Sequence, residues 1–209
     1  MSITAAPFGP LEIAFDHRVL EPREWTTQQS FWGAELLGSL PEGKVLELCC
    51  GAGQIGLLTL ALRPRPAVLV DKDPVACTFA CDNAAAADIT DVEVRCADVS
   101  EALQDGELFA LALVDPPYLR SDQVAQFPDD PVGAVDGGPD GLDLVRSCVT
   151  ALDGHLLPGG VALLQLASVE QAEEVAAWLA REGTPAFRVV ETRRHGDRGA
   201  ISLLHGTAR

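Results

Sequence analysis

The chain has 209 residues, which is the size of one ordinary domain with room for a substantial core. Its 15 basic and 31 acidic side chains give a formal net charge of −16, and a field of that sign does not attract the phosphates of nucleic acids. The apolar runs fall short of the roughly 20 residues that cross a bilayer, and the first ten residues lack the basic start and apolar run of a secretory signal, so a cytosolic protein is predicted.

Short apolar runs alternate with segments of helical periodicity along the chain. Five runs have the length and composition of buried strands: Lys44–Cys49, Ala67–Val70, Val92–Cys96, Phe109–Val114 and Val161–Ala167. Apolar residues at helical spacing lie between or after these runs: Ile55, Leu58 and Leu62; Leu142, Val145, Val149 and Leu152; Ala172, Val175, Ala176 and Leu179. Right-handed helical crossovers between parallel strands produce this alternation. The pattern therefore predicts an α/β fold with a doubly wound, mostly parallel sheet.

The two ends of the chain complete this prediction. Two weaker runs, Arg188–Glu191 and Ala200–Leu204, predict an antiparallel hairpin near the C-terminus. No internal repeat or low-complexity linker divides the chain. Residues 1–209 are therefore predicted to form a single domain, in which residues 1–25 are an N-terminal extension.

The six cysteines do not form a metal-binding pattern. They lack CxxC spacing and a nearby histidine pair, so no metal site is predicted. Most of them lie in apolar segments, where a reduced cysteine packs as a small hydrophobic residue. Cys49 and Cys50 are the exceptions, because they fall in a glycine-rich loop.

The segment after the first predicted strand fits two kinds of ligand-binding loop. Gly51, Gly53 and Gly56 satisfy the GxGxxG pattern of a dinucleotide site, and Asp71 follows Gly51 by twenty residues. The segment Val45–Gly53 also resembles the V-L-[DE]-x-G-x-G-x-G loop of class I S-adenosylmethionine methyltransferases. In either case the glycines let the backbone approach a ligand closely.

Glu47 favours the methyltransferase interpretation. A carboxylate at a buried strand end is costly unless a specific group pairs with it, and a dinucleotide fold normally has an apolar residue there. In the methyltransferases this acid supports the glycine loop near the amino-acid end of the cofactor. The resemblance therefore assigns Glu47, Gly51 and Gly53 to the cofactor site, together with Cys49, which stands where the family has its first glycine.

Acidic residues follow the next two predicted strands. Asp71 comes directly after Ala67–Val70, where a carboxylate can accept both hydrogens of a ribose diol, and Lys72 beside it is assigned to the same site. Asp98 resembles the methyltransferase residue that meets the adenine amino group, with Val99 flanking the ring. These residues are expected to bind S-adenosyl-L-methionine.

The most specific motif is Asp115-Pro116-Pro117-Tyr118, directly after the fourth predicted strand. A DPPY or NPPY sequence at this position is typical of methyltransferases that act on nitrogen. The prolines stiffen the backbone, so that a carbonyl and the Asp115 carboxylate become fixed acceptors for an NH₂ group. Tyr118 offers a flat face to a planar amide, guanidine or base. Asp115 and Tyr118 are the predicted catalytic residues, all four residues form the predicted acceptor site, and Asp115 also borders the cofactor.

Further motifs narrow the resemblance to the HemK/PrmC glutamine N5-methyltransferase family. Asp130–Asp143 resembles the family's EP…AL.GG.DGL stretch, Val19–Thr26 its vLiPRpeT segment, Asn83 its asparagine in the second crossover helix, and Leu157–Gly160 its LkpGG turn. The resemblance covers the catalytic domain from about Val19 onward. It implies that the acceptor is a glutamine amide in a translation release factor.

Two departures from the family pattern bear on the acceptor and on partners. The family motif is NPPY, and because an ionised aspartate only accepts hydrogen bonds, Asp115 favours an acceptor with several N–H groups or a basic nitrogen, on a protein side chain or a small amine or amide. The residues before Thr26 cannot build the N-terminal helical domain with which bacterial members engage the release factor. Short relatives without that domain typically act beside a small partner subunit, so such a subunit or a homo-oligomer is expected.

Residues 120–139 are rich in Pro, Asp and Gly and are predicted to form a substrate-binding loop or lid. Loops of about this length within compact domains are usually functional. The acids of this loop suit a cationic acceptor: Asp122, Asp129, Asp130 and Asp136.

Three other functions stay open beside the S-adenosylmethionine-dependent N-methyltransferase. The DPPY motif suits a nucleic-acid adenine or guanine amino methyltransferase equally well, although the net charge of −16 disfavours one. A non-catalytic methyltransferase-like binding module would tolerate Cys49 in the glycine loop. The GxGxxG pattern leaves a nicotinamide oxidoreductase as the remaining hypothesis.

Overall fold

The computed structural model describes residues 3–183, 185–196 and 198–206. Its strands are β1 (Thr4–Phe8), β2 (Leu11–Phe15), β3 (Lys44–Leu48), β4 (Ala67–Asp71), β5 (Val92–Cys96), β6 (Phe109–Val114), β7 (Leu156–Leu166), β8 (Phe187–Arg194) and β9 (Ala200–Gly206). Seven of them form one sheet in the order β5-β4-β3-β6-β7-β9-β8. The strands from β3 to β7 pair in parallel, and β9 is antiparallel to both β7 and β8. The predicted mostly parallel sheet and its C-terminal antiparallel hairpin are confirmed.

Helices cover both faces of this sheet. They are α1 (Thr27–Leu36), α2 (Gln54–Leu62), α3 (Pro74–Ala86), α4 (Val132–Val135), α5 (Asp143–Ala151) and α6 (Val169–Glu182). Alternate residues of β6 point to opposite faces: Leu111 and Leu113 pack with α1, α2 and α3, whereas Ala112 and Val114 pack with α5 and α6. A strand that is buried on both faces needs a continuous apolar run, which is why apolar and polar residues do not alternate along β6. No helix within the described ranges is long and apolar enough to cross a membrane.

The strand order reverses between β3 and β6. The chain runs from β3 outward through β4 and β5, and then returns to place β6 on the other side of β3. The loops that follow β3 and β6 therefore diverge, and they leave a crevice at the carboxyl ends of the strands. This reversal determines where a ligand can bind.

The N-terminal extension contains a β-hairpin that the sequence interpretation left unassigned. Strands β1 and β2 pair in antiparallel register, and Phe8 and Ile13 are buried in the core shared with α1, α2 and α3. Asn83 of α3 joins this hairpin to the glycine loop. Its Oδ1 accepts from the Ala14 N–H at 2.8 Å, and its Nδ2 donates to the carbonyls of Ala14 and Ala52 at 3.0 Å each.

Of the seven predicted strands, Val92–Cys96 and Phe109–Val114 agree with the structure at both ends, whereas the other five differ at one end or both. The differences in β3 and β7 have a local cause. Strand β3 ends at Leu48 rather than Cys49, because the backbone of Cys49 turns into the left-handed region with a φ of 60°. Strand β7 begins at Leu156 rather than Val161, and the residues expected to form a turn before it create a bulge within the strand. Phe109 pairs with Leu156 and Leu111 with Val161, so the register shifts there.

Asn83→Ala is expected to destabilise the fold by roughly 2–4 kcal/mol, because it removes three hydrogen bonds and leaves buried backbone groups unpaired. Asn83→Asp keeps the acceptor for the Ala14 N–H but places a buried carboxylate oxygen against the carbonyls of Ala14 and Ala52, so a loss at least as large is expected at neutral pH. Urea unfolding of the two variants measures the difference. Equal stability of Asn83→Ala and the wild type would contradict the role of this side chain.

Candidate functional site

Two cavities lie at the carboxyl ends of the parallel strands and share a wall. The motif cavity, of about 430 Å³, is lined by the DPPY residues, by the segment before α1 and by part of the 120–139 loop. The loop cavity, of about 440 Å³, is lined by residues that follow β3, β4 and β5, and also by the segment before α1, the DPPY motif and part of the 120–139 loop. The residues common to both are Leu20, Gln54, Asp115, Pro117 and Ala134. A molecule in one cavity can therefore meet a molecule in the other at this wall.

The predicted cofactor residues are divided by the structure into two groups. Those that line the loop cavity are Cys49, Gly51, Asp71, Lys72, Asp98, Val99 and Asp115. Glu47 and Gly53 line neither cavity. Glu47 is buried behind the glycine loop, and Gly53 lies at the end of this loop, where α2 begins. The sequence cannot show which residues of this motif line a cavity and which support the loop from behind, because both kinds lie within the same few positions.

Asp71 ties the glycine loop to the end of β4. Its Oδ2 accepts from the Gly51 N–H at 2.8 Å, and its Oδ1 accepts from the Asp73 N–H at 2.9 Å. Burial raises the pKa of Asp71, whereas the two backbone donors lower it. The carboxylate thus stands at the cavity wall in a fixed orientation, with further lone pairs available to a ligand.

Cys49 adopts the conformation that a glycine would favour. Its φ of 60° lies in the left-handed region, which costs a residue with a Cβ roughly 1–2 kcal/mol. Its Sγ lies 3.8 Å from the Sγ of Cys148 on α5, and this contact, together with burial, raises the pKa of Cys49 well above its usual range. The loop therefore keeps its shape with a neutral thiol at this position.

Glu47 supports the loop from behind and is 1% exposed. Its carboxylate lies against the first turn of α2, where a Cβ on Gly56 would collide with it. Neither carboxylate oxygen makes a hydrogen bond of standard geometry within the described residues. Burial raises the pKa of Glu47 well above its usual range, although the Gly56 backbone lowers it. Burial therefore disfavours the charged form of Glu47, and its carboxyl group leaves room only for glycine at position 56.

Asp98 lies at the exposed end of the loop cavity. Its Oδ1 accepts from the N–H of Ser100 at 3.0 Å and from its Oγ at 2.7 Å. These hydrogen bonds lower the pKa of Asp98. Val99 beside it is buried and apolar, so this end of the cavity presents an ionised acceptor next to an apolar surface.

Asp115 stands at the wall between the two cavities and is partly buried. Its backbone N–H donates to the Leu48 carbonyl at 3.4 Å, but no described residue makes a hydrogen bond or ion pair with its carboxyl group. Burial raises the pKa of Asp115 to about 7. A carboxyl group held without a partner at the wall between two cavities is available to a bound molecule.

The backbone of the DPPY motif is held in place by glycines of the 120–139 loop and the residues that follow it. A Cβ on Gly141 would lie 2.5 Å from the Tyr118 carbonyl oxygen, and one on Gly137 would lie 2.7 Å from that of Pro117. Gln171 of α6 donates to the carbonyls of Tyr118 and Gly141 at 3.1 and 3.2 Å. The Tyr118 side chain lines the motif cavity, and burial with the nearby Asp115 charge raises its pKa. Tyr118 is therefore a neutral phenol at a rigid position.

Most acids of the 120–139 loop are already paired within the protein. Asp130 forms an ion pair with Arg23 across the motif cavity, and Asp122 pairs with Arg120. Asp136 accepts hydrogen bonds from within the loop. These contacts leave less free negative charge for a cationic acceptor than the sequence suggests.

Three glutamines at the site were not assigned from the sequence. Gln54 lines both cavities, Gln171 holds the DPPY backbone, and Gln29 of α1 donates from Nε2 to the Leu163 carbonyl at 2.8 Å. The S-x-x-Q spacing from Ser168 marks Gln171 as a helix-start residue, and Ser168 does cap α6. No comparable sequence signal marks Gln29 or Gln54. Among the residues described, no group of three or more His, Cys, Asp or Glu side chains is placed to hold a metal ion.

Comparison with known proteins identifies similar chains. Residues 33–127 match the model of the methyltransferase small domain. The release factor glutamine methyltransferase of Deinococcus radiodurans is 31% identical over 203 residues, which cover 90% of this chain and 72% of that protein. The corresponding protein of Clostridium acetobutylicum is 33% identical over 159 residues, 72% of this chain. This chain spans about half the length of the Clostridium relative, 54% of it.

A solved structure confirms the methyltransferase type of fold. The ribosomal protein L11 methylase from Lactobacillus delbrueckii subsp. bulgaricus superposes with a TM-score of 0.66 at 16% identity. The superposition covers 91% of this chain and 82% of that chain. At this identity the likeness extends to the fold alone.

The raised pKa of Asp115 predicts how stability depends on pH. The folded protein binds the Asp115 proton up to about pH 7, whereas the unfolded chain releases it near pH 4. The wild type therefore loses stability relative to Asp115→Asn as the pH rises from about 4 to about 7. The loss is at most about 1.4 kcal/mol per pH unit. Above about pH 7 the stability difference between the two proteins is constant.

Urea unfolding at a series of pH values measures this difference. Asp105→Asn, an exposed change in the turn before β6, is the matched control, and its stability should change with pH as that of the wild type does. A stability difference between wild type and Asp115→Asn that is the same at every pH would contradict the raised pKa.

Proposed function

The chain belongs to the release factor glutamine methyltransferase family, and on that basis we propose that it transfers a methyl group from S-adenosyl-L-methionine to the side-chain amide nitrogen of a glutamine in a protein acceptor. Its relatives are named for release factors and, in one case, for ribosomal protein uL3. A bacterial release factor is therefore the first acceptor to test. An acceptor of this class agrees with the cytosolic location predicted from the sequence.

The observation that carries the proposal is the shared wall at Asp115. The loop cavity has the acids and the glycine loop expected of a nucleoside site, and the motif cavity has the DPPY residues expected of a nitrogen acceptor site. Asp115 belongs to both. Reaction between two bound molecules requires this arrangement, since the reacting atoms must be held in contact while water is kept out.

The residues of the loop cavity fit S-adenosyl-L-methionine. Asp71 offers a carboxylate oriented by two backbone donors, and Asp98 and Val99 offer an acceptor beside an apolar surface. When bound, the cofactor supplies a methyl group on a sulfonium, which needs no covalent nucleophile from the protein. The residues of the loop cavity therefore need only to bind the cofactor and to orient its methyl group.

The residues of the motif cavity orient the acceptor. The Asp115 carboxylate and the Pro116 carbonyl accept the two hydrogens of the amide NH₂ group, which directs the nitrogen toward the loop cavity. Tyr118 covers one face of the planar amide. As the nitrogen gains positive charge, the Asp115 carboxylate stabilises it. The Arg23–Asp130 ion pair lies in the lining of this cavity and joins the segment before α1 to the 120–139 loop.

The family relatives named above are glutamine methyltransferases, which does not favour a nucleic-acid base methyltransferase, a nicotinamide oxidoreductase or a non-catalytic module. A small partner subunit or a homo-oligomer stays a prediction.

Asp115→Ala is expected to lower the rate of methyl transfer to the release factor by roughly 10²–10⁴-fold, because it removes the acceptor that orients the nitrogen and stabilises its charge. The binding of S-adenosylhomocysteine should change little. Transfer of labelled methyl, followed by mass spectrometry of the modified peptide, measures the first quantity and calorimetry the second. Full activity of this variant would refute the assigned role, and a wild type that binds the cofactor but modifies no release factor would refute the proposed function.

Asp71→Ala is expected to weaken the binding of S-adenosylhomocysteine at least tenfold, because it removes both the loop contact to Gly51 and an acceptor for the ligand. Asp91→Ala, an exposed change in the loop just before β5, is the control and should leave the affinity unchanged. Calorimetry compares the two variants with the wild type. Equal affinity in all three proteins would place the nucleoside elsewhere.

A further inference from the structure

Within the part of the chain that the structure describes, two polar side chains line the wall between the two cavities. Of the five residues that line both cavities, Leu20, Pro117 and Ala134 are apolar, and Gln54 and Asp115 are polar. Any group that passes from one cavity to the other must contact this wall. At this wall, the side chains that can form hydrogen bonds with such a group are therefore the Asp115 carboxyl group and the Gln54 carboxamide.

Gln54 is the first residue of α2 and directly follows the glycine loop. Its side chain is 8% exposed, and its Oε1 is fully buried with no hydrogen-bond partner among the described residues. Its Nε2 is not buried in this way and makes no hydrogen bond with a described residue, so the NH₂ end is the polar end that the cavities can reach. The Nε2 of Gln54 is therefore a hydrogen-bond donor that no described residue uses, and an acceptor oxygen of a bound molecule can pair with it.

The two side chains offer complementary hydrogen-bonding groups. An ionised Asp115 only accepts hydrogen bonds, whereas the Nε2 of Gln54 only donates them. A carboxamide has both an NH₂ group and a carbonyl oxygen, so it can satisfy both side chains together. An amine or a guanidine has no oxygen to offer and would leave Gln54 unpaired.

We propose that Gln54 is a specificity-determining residue whose Nε2 donates a hydrogen bond to the carbonyl oxygen of the acceptor, so that the site selects carboxamides over amines. This rests on the proposed function, because it assumes that the acceptor nitrogen lies at Asp115. Asp115, at the first position of the DPPY motif, cannot donate a hydrogen bond when it is ionised. Gln54 supplies the missing donor from the start of α2.

The kinetic test compares Gln54→Leu, which removes the donor, with Gln54→Glu, which keeps only acceptors. Both variants should lower kcat/KM for the release factor about 10- to 100-fold at pH 8 and saturating cofactor, while the Kd for S-adenosylhomocysteine stays within twofold of the wild type. Gln104→Leu, at an exposed position on the opposite edge of the sheet, is the control and should keep the wild-type rate. Unchanged kcat/KM in Gln54→Leu, a wild-type rate in Gln54→Glu, or an equal loss of cofactor affinity would overturn the proposal.

A binding test separates this proposal from the proposed function. The probe is N-acetylglutamine methylamide, added at millimolar concentration to the ¹⁵N-labelled protein with S-adenosylhomocysteine, and N-acetylornithine methylamide is the amine control. The Gln54 side-chain NH₂ resonance, assigned by its loss in Gln54→Leu, should shift with the amide and not with the amine. A shift without turnover of any release factor would support the role of Gln54 while refuting the proposed function. An unmoved resonance, or an equal shift with the amine, would overturn the role of Gln54.

Discussion

The rest of the site depends on one unpaired carboxyl group at the end of the central strand β6. Asp115 follows six fully buried residues, and its side chain has no partner among the residues that the structure describes. Burial without a partner is unfavourable, and the raised pKa of Asp115 reflects that cost. The surrounding structure stabilises the position by fixing the backbone. Two prolines follow Asp115, the glycines of the following loop pack on the carbonyls, and Gln171 donates to the Tyr118 carbonyl.

Around the loop cavity, too, the fold holds groups in positions that are unfavourable for its stability. Cys49 keeps a left-handed backbone, Glu47 is buried against Gly56, and the Oε1 of Gln54 is left unpaired. Each of these features lowers the stability of the fold, and all of them lie in or beside the loop after β3. Local strain and unsatisfied polar groups concentrate at functional sites, where the surrounding structure holds them in place. The strained loop and the free carboxyl group meet where the strand order of the sheet reverses.

The sequence predicts the sheet and the DPPY site because both rest on local patterns. Buried runs such as Phe109–Val114 identify strands, and the residues that follow them must meet at one edge of a parallel sheet. The hairpin of β1 and β2 is missed because its strands are short, contain Pro7 and pair outside the main sheet. Gln54 is missed because its role depends on a wall shared by two cavities, which no spacing in the chain encodes.

The most direct measurement is a crystal structure of the protein with S-adenosylhomocysteine and a peptide that contains the acceptor glutamine. The account predicts that the nucleoside lies in the loop cavity, against Asp71, and that the glutamine amide lies in the motif cavity. The amide nitrogen should then be within hydrogen-bonding distance of the Asp115 carboxylate and should face the cofactor sulfur. A glutamine amide bound away from Asp115, or a nucleoside outside the loop cavity, would contradict it.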